Sequence, residues 1–281
     1  MNIVLSYASW PLRLAGAADL YWRYTGVSLR AQMQYKASFW MLSLAQFLVT
    51  GMEFLGIWML FARFGSLRGW SLAGVALLYG LVNVSFALAD AFGRGFDMFS
   101  NLVKTGDFDR LLLRPRSLAL QVAARELLLT RVGRLAQGVA VLAWALHALP
   151  IGWTAARMVF LLATIAGGTA LFFALFVLQA TVSFWTIESL ELMNILTYGS
   201  TEAGQYPLTI YRTWFRLFFT FVAPLASVNI IPARVLLCAN PPVLYSFAPL
   251  VGFFFLVVAP LRAGVPRGTC CCQRRVLRSL Q

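Results

Sequence analysis

The sequence predicts an all-α, polytopic membrane protein with six transmembrane helices, and three observations carry that prediction. Hydrophobic residues make up 60% of the 281 and charged residues only 12%, with a mean hydropathy of +0.75, far above the soluble range. Six apolar stretches approach the roughly 20 residues that a helix needs to cross a hydrocarbon core. No period-2 alternation points to a barrel, and no internal repeat is evident.

Taken in order, residues 1–36 form an N-terminal cytoplasmic or interfacial segment. Its first ten residues lack a positive n-region and a long apolar run, so no cleaved signal is expected. Residues 11–36 mix Leu, Tyr and Trp with Arg13, Asp19, Arg23, Arg30 and Lys36. That helix is too polar to span and fits an elbow lying at the interface. Residues 37–261 carry the six spans: Ala37–Phe61, Ser71–Phe92, Leu135–Leu149 with a start near Val132, Met158–Trp185, Trp214–Ile230 and Val243–Leu261. Residues 262–281 are a basic cytoplasmic tail. Cys238 stands alone and Cys270, Cys271 and Cys272 are adjacent, which is not the paired spacing of a zinc site. Inert thiols fit best, with juxtamembrane acylation the weaker alternative.

The formal net charge is +13, but the basic residues fall between apolar runs and form no single stripe. They read as topology determinants and contacts to membrane lipid, not as a nucleic-acid surface. With six spans both termini share one side. That side holds most of the 23 Lys and Arg, leaving Arg63, Arg68, Arg157 and Arg234 opposite. The positive-inside rule then places both termini, and the loop around Asp107, in the cytoplasm.

Ser43, Gln46, Thr50 and Glu53 are spaced three, four and three apart, so they line one face of the first span. Tyr79, Asn83 and Asp90 repeat the pattern more weakly in the second. Such faces avoid lipid. They serve either as polar contacts between helices or as the lining of a substrate path or a permease interface, with Glu53 the costliest member.

Between the second and third spans lies KTGDFDRLLLRPRSLALQ, from Lys104 to Gln121. Gly106 breaks the preceding helix, Asp107 is a good N-cap, and Asp109 favours the positive helix end. Phe108, Leu111 and Leu112 share a face, and Pro115 limits the element to about two turns. A short rod of this kind, with Asp109, Arg110, Arg114 and Arg116 around it, fits a groove on another protein. The same residues also fit an ordinary basic interfacial turn. Farther on, Pro224, Pro232 and Asn240-Pro241-Pro242 interrupt the fifth region. Freed backbone groups are tolerated only under protein or water, which predicts re-entrant segments from Val228 to Ala239 with Arg234 pointing to water.

No GxxxxGK[ST] loop occurs, since Lys36 and Lys104 follow Tyr35 and Val103. His147 is the only histidine, and no GxSxG is present. No catalytic residue, metal site or cofactor is therefore expected in this chain.

The run GDFDRLLLRPRSL (Gly106 to Leu118), YPLTIY (Tyr206 to Tyr211) and TFVAPLASVNIIPARVLL (Thr220 to Leu237) resemble the six-span ABC-2 type permeases of bacterial ABC exporters. The resemblance covers Arg23 to Leu261. It implies an elbow helix, a coupling helix and re-entrant helices between spans five and six. Carried over by position, the coupling element is Gly106, Asp107, Phe108, Asp109, Arg110, Leu111 and Pro115. It also implies an ABC ATP-binding subunit in two copies that binds the ATP and Mg, a second, different permease subunit, and residence in the bacterial inner membrane. The ending LRAGVPRGTCCCQRRVLRSLQ departs from the Gly, basic pair and Tyr-Ser-Gly-like close usual there. The leading expectation is an exporter permease subunit. The alternatives are a non-transporting scaffold or regulator, and an ion-coupled transporter using Glu53 and Asp90.

Overall fold

The computed structural model describes residues 21, 23–27, 30–66, 69–113, 118–124, 131–183, 190–237 and 243–262. Among them the architecture is helical. Residues 23–27 and 30–33 are helical, followed by α1 (Lys36–Phe64), α2 (Leu72–Asp97), α3 (Phe99–Lys104), α4 (Asp107–Leu112) and α5 (Leu118–Ala123). Then come α6 (Val132–Ala148), α7 (Ala155–Val182), α8 (Leu190–Gly204), α9 (Thr213–Phe221), α10 (Ile230–Leu237) and α11 (Ala248–Arg262).

The helix ends follow local chemistry. The α1 run contains no proline and ends at Gly65, whose φ of 72° lets its N–H close back on the Phe61 carbonyl at 2.8 Å. Ser71 caps α2, its hydroxyl accepting from the Gly74 N–H at 3.2 Å.

α2 is the axis of the bundle. The most apolar part of the α2–α3 run, Leu72–Lys104, is 83% buried, against 17% for α1. Val75 to Leu78 pack with Leu142 and Ala145 of α6 and with Ala233 and Leu236 of α10. Val82, Phe86 and Ala89 pack with Leu171, Phe172 and Phe176 of α7. Close approach rests on glycine. A side chain at Gly133 of α6 would meet the Ser43 carbonyl of α1, and one at Gly252 of α11 would meet the Gly167 carbonyl of α7.

Three of these helices are long and apolar enough to cross a membrane: Lys36–Phe64, Leu72–Lys104 and Ala155–Val182. A fourth is added if Thr213–Phe221 and Leu225–Leu237, bent by 79°, count as one. The expected first, second and fourth spans are thus present as helices, with ends shifted by a few residues. The third is a 17-residue helix beginning at Val132. The expected fifth span, Trp214–Ile230, is not one straight helix. α9 stops at Phe221, and a 3-10 turn over Leu225–Ser227 follows Pro224. Pro232 is tolerated because it falls in the first turn of α10.

One segment departs from expectation. Residues 190–204, which lie between the expected fourth and fifth spans, form α8, which packs on α2 and α7. Its start lies by Gln179, whose amide donates to Asn194 at 3.3 Å, and its end lies by Val82, on which Gly204 packs. Polar side chains with partners inside the bundle replace the apolar run that a lipid-facing helix needs.

The glycine contacts make a direct test. Gly252→Leu is expected to cost about 1–3 kcal/mol by overpacking against α7. Gly51→Ala, where an added Cβ meets nothing within 4 Å, should be neutral or slightly stabilising. Unfolding of the purified chain in mixed micelles by SDS titration measures both.

Candidate functional site

The segment between α2 and α6 is built on a break. Gly106 sits in the left-handed region, φ 74° and ψ 2°, which no side chain adopts cheaply, and it turns the chain from α3 into α4. Gly106 itself, not Asp107, is the N-cap, and no side chain caps the helix. Asp107 is the first helical residue. The rod is six residues long, and Pro115 lies outside the described residues.

The apolar face of α4 turns inward. Leu111 is buried with Phe99, Leu102, Val122 and Ala180, and the Phe108 ring meets Phe99 edge-on at 5.3 Å. Gln121 of α5 donates to the Leu111 carbonyl at 3.5 Å. Phe108 and Leu111 thus hold the rod to its own bundle. What points outward is Arg110, whose side chain is 84% exposed, beside Asp107 at 3.5 Å, together with Leu113. An exposed pair of this kind adds little stability, so exchanging it for contacts with a partner costs little.

Above α3 and α4, the end of α2 carries a hub of charge. Asp97 accepts from Arg94 at 2.7 Å, from the Tyr198 hydroxyl of α8 at 2.9 Å and from Gln179 of α7 at 3.1 Å. Asp90 faces Arg131, just before α6, at 2.7 Å and Arg94 at 3.5 Å. Thr197 donates to Gln179 at 3.2 Å. One carboxylate thereby joins α2, α7 and α8. Only Asp90 of this hub was singled out from the sequence. Arg94 and Asp97, three apart at the end of an apolar run, were its legible signal.

Farther along α2 lies a second polar cluster. Tyr79, fully buried, donates to the Thr50 carbonyl of α1 at 2.8 Å and to Gln137 of α6 at 3.4 Å. Asn83 donates to the Tyr79 carbonyl at 3.1 Å and accepts from the Arg134 Nε at 3.1 Å. The Arg134 guanidinium lies 4.7 Å over the Phe86 ring. Two of the four first-span residues, Ser43 and Thr50, are buried toward the bundle, and Thr50 also bonds back to the Gln46 carbonyl. Gln46 is half-buried. Glu53 is half-buried, and its Oε2, shut from solvent, has no hydrogen-bond partner among the described residues. Arg134 and Gln137 were not foreseen. Arg134, at the start of the expected third span, is 8% exposed inside the bundle.

The bent pair returns into the bundle. Pro224 marks the break, Pro232 is buried and Arg234 is exposed. Asn229 donates to the Gly204 and Tyr206 carbonyls, and Val228 touches the backbone path of Gly168. These bonds satisfy the peptide groups that the YPLTIY turn leaves open.

Residues 47–262, more than half of the chain, match the family described as ABC-2 family transporter protein. The matched region holds Glu53, both polar clusters, α4 and the bent pair. No curated protein and no solved structure matches the chain at a significant level.

If Asp97 is the hub, its removal should exceed that of any single partner. Asp97→Ala is expected to cost about 3–5 kcal/mol because it takes from the largely buried Arg94 its shorter ion pair and leaves Tyr198 and Gln179 without this acceptor. Tyr198→Phe should cost about 1 kcal/mol. Equal small losses in SDS unfolding would show that the carboxylate is not central.

Proposed function

Because the chain belongs to the ABC-2 family of transporter proteins, we propose that it is the membrane-spanning permease subunit of an ATP-driven exporter, coupled to its ATPases through α4. Members of this family generally work with an ABC ATPase, and this chain carries no Gly-Lys phosphate loop of its own. Two copies of that ATP-binding subunit would hold ATP and Mg, and a second permease would complete the pathway.

In this reading the six spans are α1, α2, α6, α7, α8 and α11, and α9 with α10 is a re-entrant pair between the fifth and sixth. Supporting it, α8 starts beside Asp97 and climbs about 22 Å at 1.5 Å per residue. Ala233 and Leu236 of α10 pack against Val75 to Leu78, at the end of α2 far from α4. α8 then replaces Trp214–Ile230 as the fifth crossing. Arg212 and Arg216 leave the terminal side, but the excess of basic residues there stays. Both termini and α4 are cytoplasmic in this reading, and the elbow expected over residues 11–36 lies in large part outside the described residues.

The observation that carries the proposal is the seating of α4. Phe108 and Leu111 fix it to the bundle while Asp107 and Arg110 face out, so a partner gripping the outer face moves the rod as a body. The displacement passes from Phe108 to Phe99 of α3 and on to the end of α2. There Asp97 carries it to α7 and α8 through Gln179 and Tyr198. ATP-driven closure of the partner would thus tilt three helices together and switch the path between inward and outward exposure.

Arg110→Glu tests the outer face. It should abolish capture of the co-expressed ATP-binding subunit and stop transport, while leaving the chain's own unfolding curve unchanged. Phe108→Ala should weaken both stability and capture. Transport that persists without any ATPase but is lost in Glu53→Gln would establish the ion-coupled alternative.

A further inference from the structure

α7 starts at the end of the bundle away from α4, since Gln179 near its other end meets Asp97. There a cleft of about 700 Å³ opens between the first turns of α7, Val235 of α10 and Ser246. Its α7 wall is mostly apolar: Ala155, Ala156, Val159, Phe160 and Ala163 run along about 12 Å of helix at 1.5 Å per residue. The volume suits one ligand of modest size or a single hydrocarbon chain. Val159 lines the cleft and is 66% exposed, and its neighbours Met158 and Leu162 are bare as well. The mouth therefore opens sideways, where hydrocarbon lies against the bundle.

Among the described residues the polar side chains that line the cleft are Thr154, Arg157 and Ser246. Arg157 is set at the rim. Its guanidinium turns back along the helix start and donates to the Gly152 carbonyl at 2.8 Å, which brings the charge to the level of Trp153. Trp153 is partly exposed, as an indole at the headgroup boundary is. A long cationic side chain that starts in the apolar layer and reaches back to that boundary is snorkelling. No carboxylate answers it: residues 127–187 and 203–281, which include α7, α10 and Ser246, contain no Asp or Glu. Arg234, beside Val235 in α10, is exposed and adds the same sign.

We propose that this cleft holds one anionic phospholipid, its phosphate on Arg157 at the headgroup level and one acyl chain lying along Val159, Phe160 and Ala163 against Val235. A free small anion would leave the apolar wall uncovered. A zwitterionic lipid would bring its ammonium group to a place that offers a guanidinium and no carboxylate, so a lipid of net negative charge is favoured.

The inference takes from the proposed function only the placing of this end in the outer leaflet. Its test contains no ATP-binding subunit, so the two fail separately. The purified full-length chain is reconstituted in phosphatidylcholine nanodiscs with a trace of lipid that carries a diazirine in one acyl chain and either a phosphatidylglycerol or a phosphatidylethanolamine headgroup. After illumination, label is mapped by peptide mass spectrometry relative to label on the bare α1 residues Met52 and Met59. The phosphatidylglycerol probe should label residues 155–163 and Val235 about fivefold more than the phosphatidylethanolamine probe, the factor that one arginine near a membrane surface gives for one charge. Arg157→Gln should erase that preference, and Arg157→Lys should keep most of it, because a point charge still binds phosphate. Ala156→Phe, which narrows the cleft with the charge kept, should lower labelling of Val235 by both probes. Equal labelling by the two probes, or a preference that survives Arg157→Gln, overturns the proposal in favour of ordinary surrounding lipid. Competition by soluble glycerol phosphate overturns it in favour of a small-anion site.

Discussion

A carboxylate inside a bilayer must be matched by a cation or donor that protein holds in place, and in this chain that requirement falls on α2. Asp90 and Asp97 are nearly buried, and each has an arginine at 2.7 Å. Neither arginine is free to snorkel, because Arg94 is held from the same helix and Arg131 from the start of α6. The Asp90–Arg131 pair therefore fixes where α6 stands relative to α2, and the Tyr198 hydrogen bond to Asp97 fixes α8. A buried pair of this kind is weak evidence for net stability, but removing one partner is costly. What it supplies is register: α2 cannot slide or rotate past its neighbours without stranding charge.

Packing then follows from register. With α2 held, Gly133, Gly167 and Gly252 let neighbouring backbones close in, and the aromatic core of Phe86, Phe172 and Phe176 fills the space below. α1 stands outside this arrangement. It packs mostly on α6, touches α2 where Tyr79 donates to the Thr50 carbonyl, and keeps a bare apolar face, as expected of a helix whose second neighbour belongs to another chain or to lipid.

The apolar runs were legible in the sequence because hydrocarbon imposes a length, and α1, α2, α6 and α7 appear where it demanded. The break at Gly106 and the interruption at Pro224 were legible because backbone chemistry is local. Three features were not. α8 reads LELMNILTYGSTEAG, too polar for a lipid-facing span, and becomes intelligible only once Asn194, Thr197 and Tyr198 meet Gln179 and Asp97. Arg131 and Arg134 look like loop charges until Asp90 and Asn83 receive them. Phe108 and Leu111 were correctly placed on one face, but periodicity names a face and not what covers it. The stripe from Ser43 to Glu53 shows the same limit: Thr50 meets α2 and Ser43 meets α6, while the Glu53 Oε2 finds no donor among the described residues.

The distribution of satisfied and unsatisfied groups bears on where energy enters. An ion-coupled carrier needs a carboxylate that exchanges its cation, and Asp90 does not qualify while two guanidinium groups hold it. Glu53 keeps an oxygen with no hydrogen-bond donor among the described residues, yet it stands well along α2 from α4, beside Tyr79 and not beside Asp97. The charged hub and the open carboxylate therefore occupy different levels of the bundle, joined by the continuous α2. In the proposed permease, a push delivered at α4 would reach the hub first, and the hub would spread it across three helices before it arrived at Tyr79, Thr50 and Glu53. Such an order suits a mechanical input at one end and a change of helix contacts at the middle. It is the order that the proposed coupling to a separate ATP-binding subunit requires.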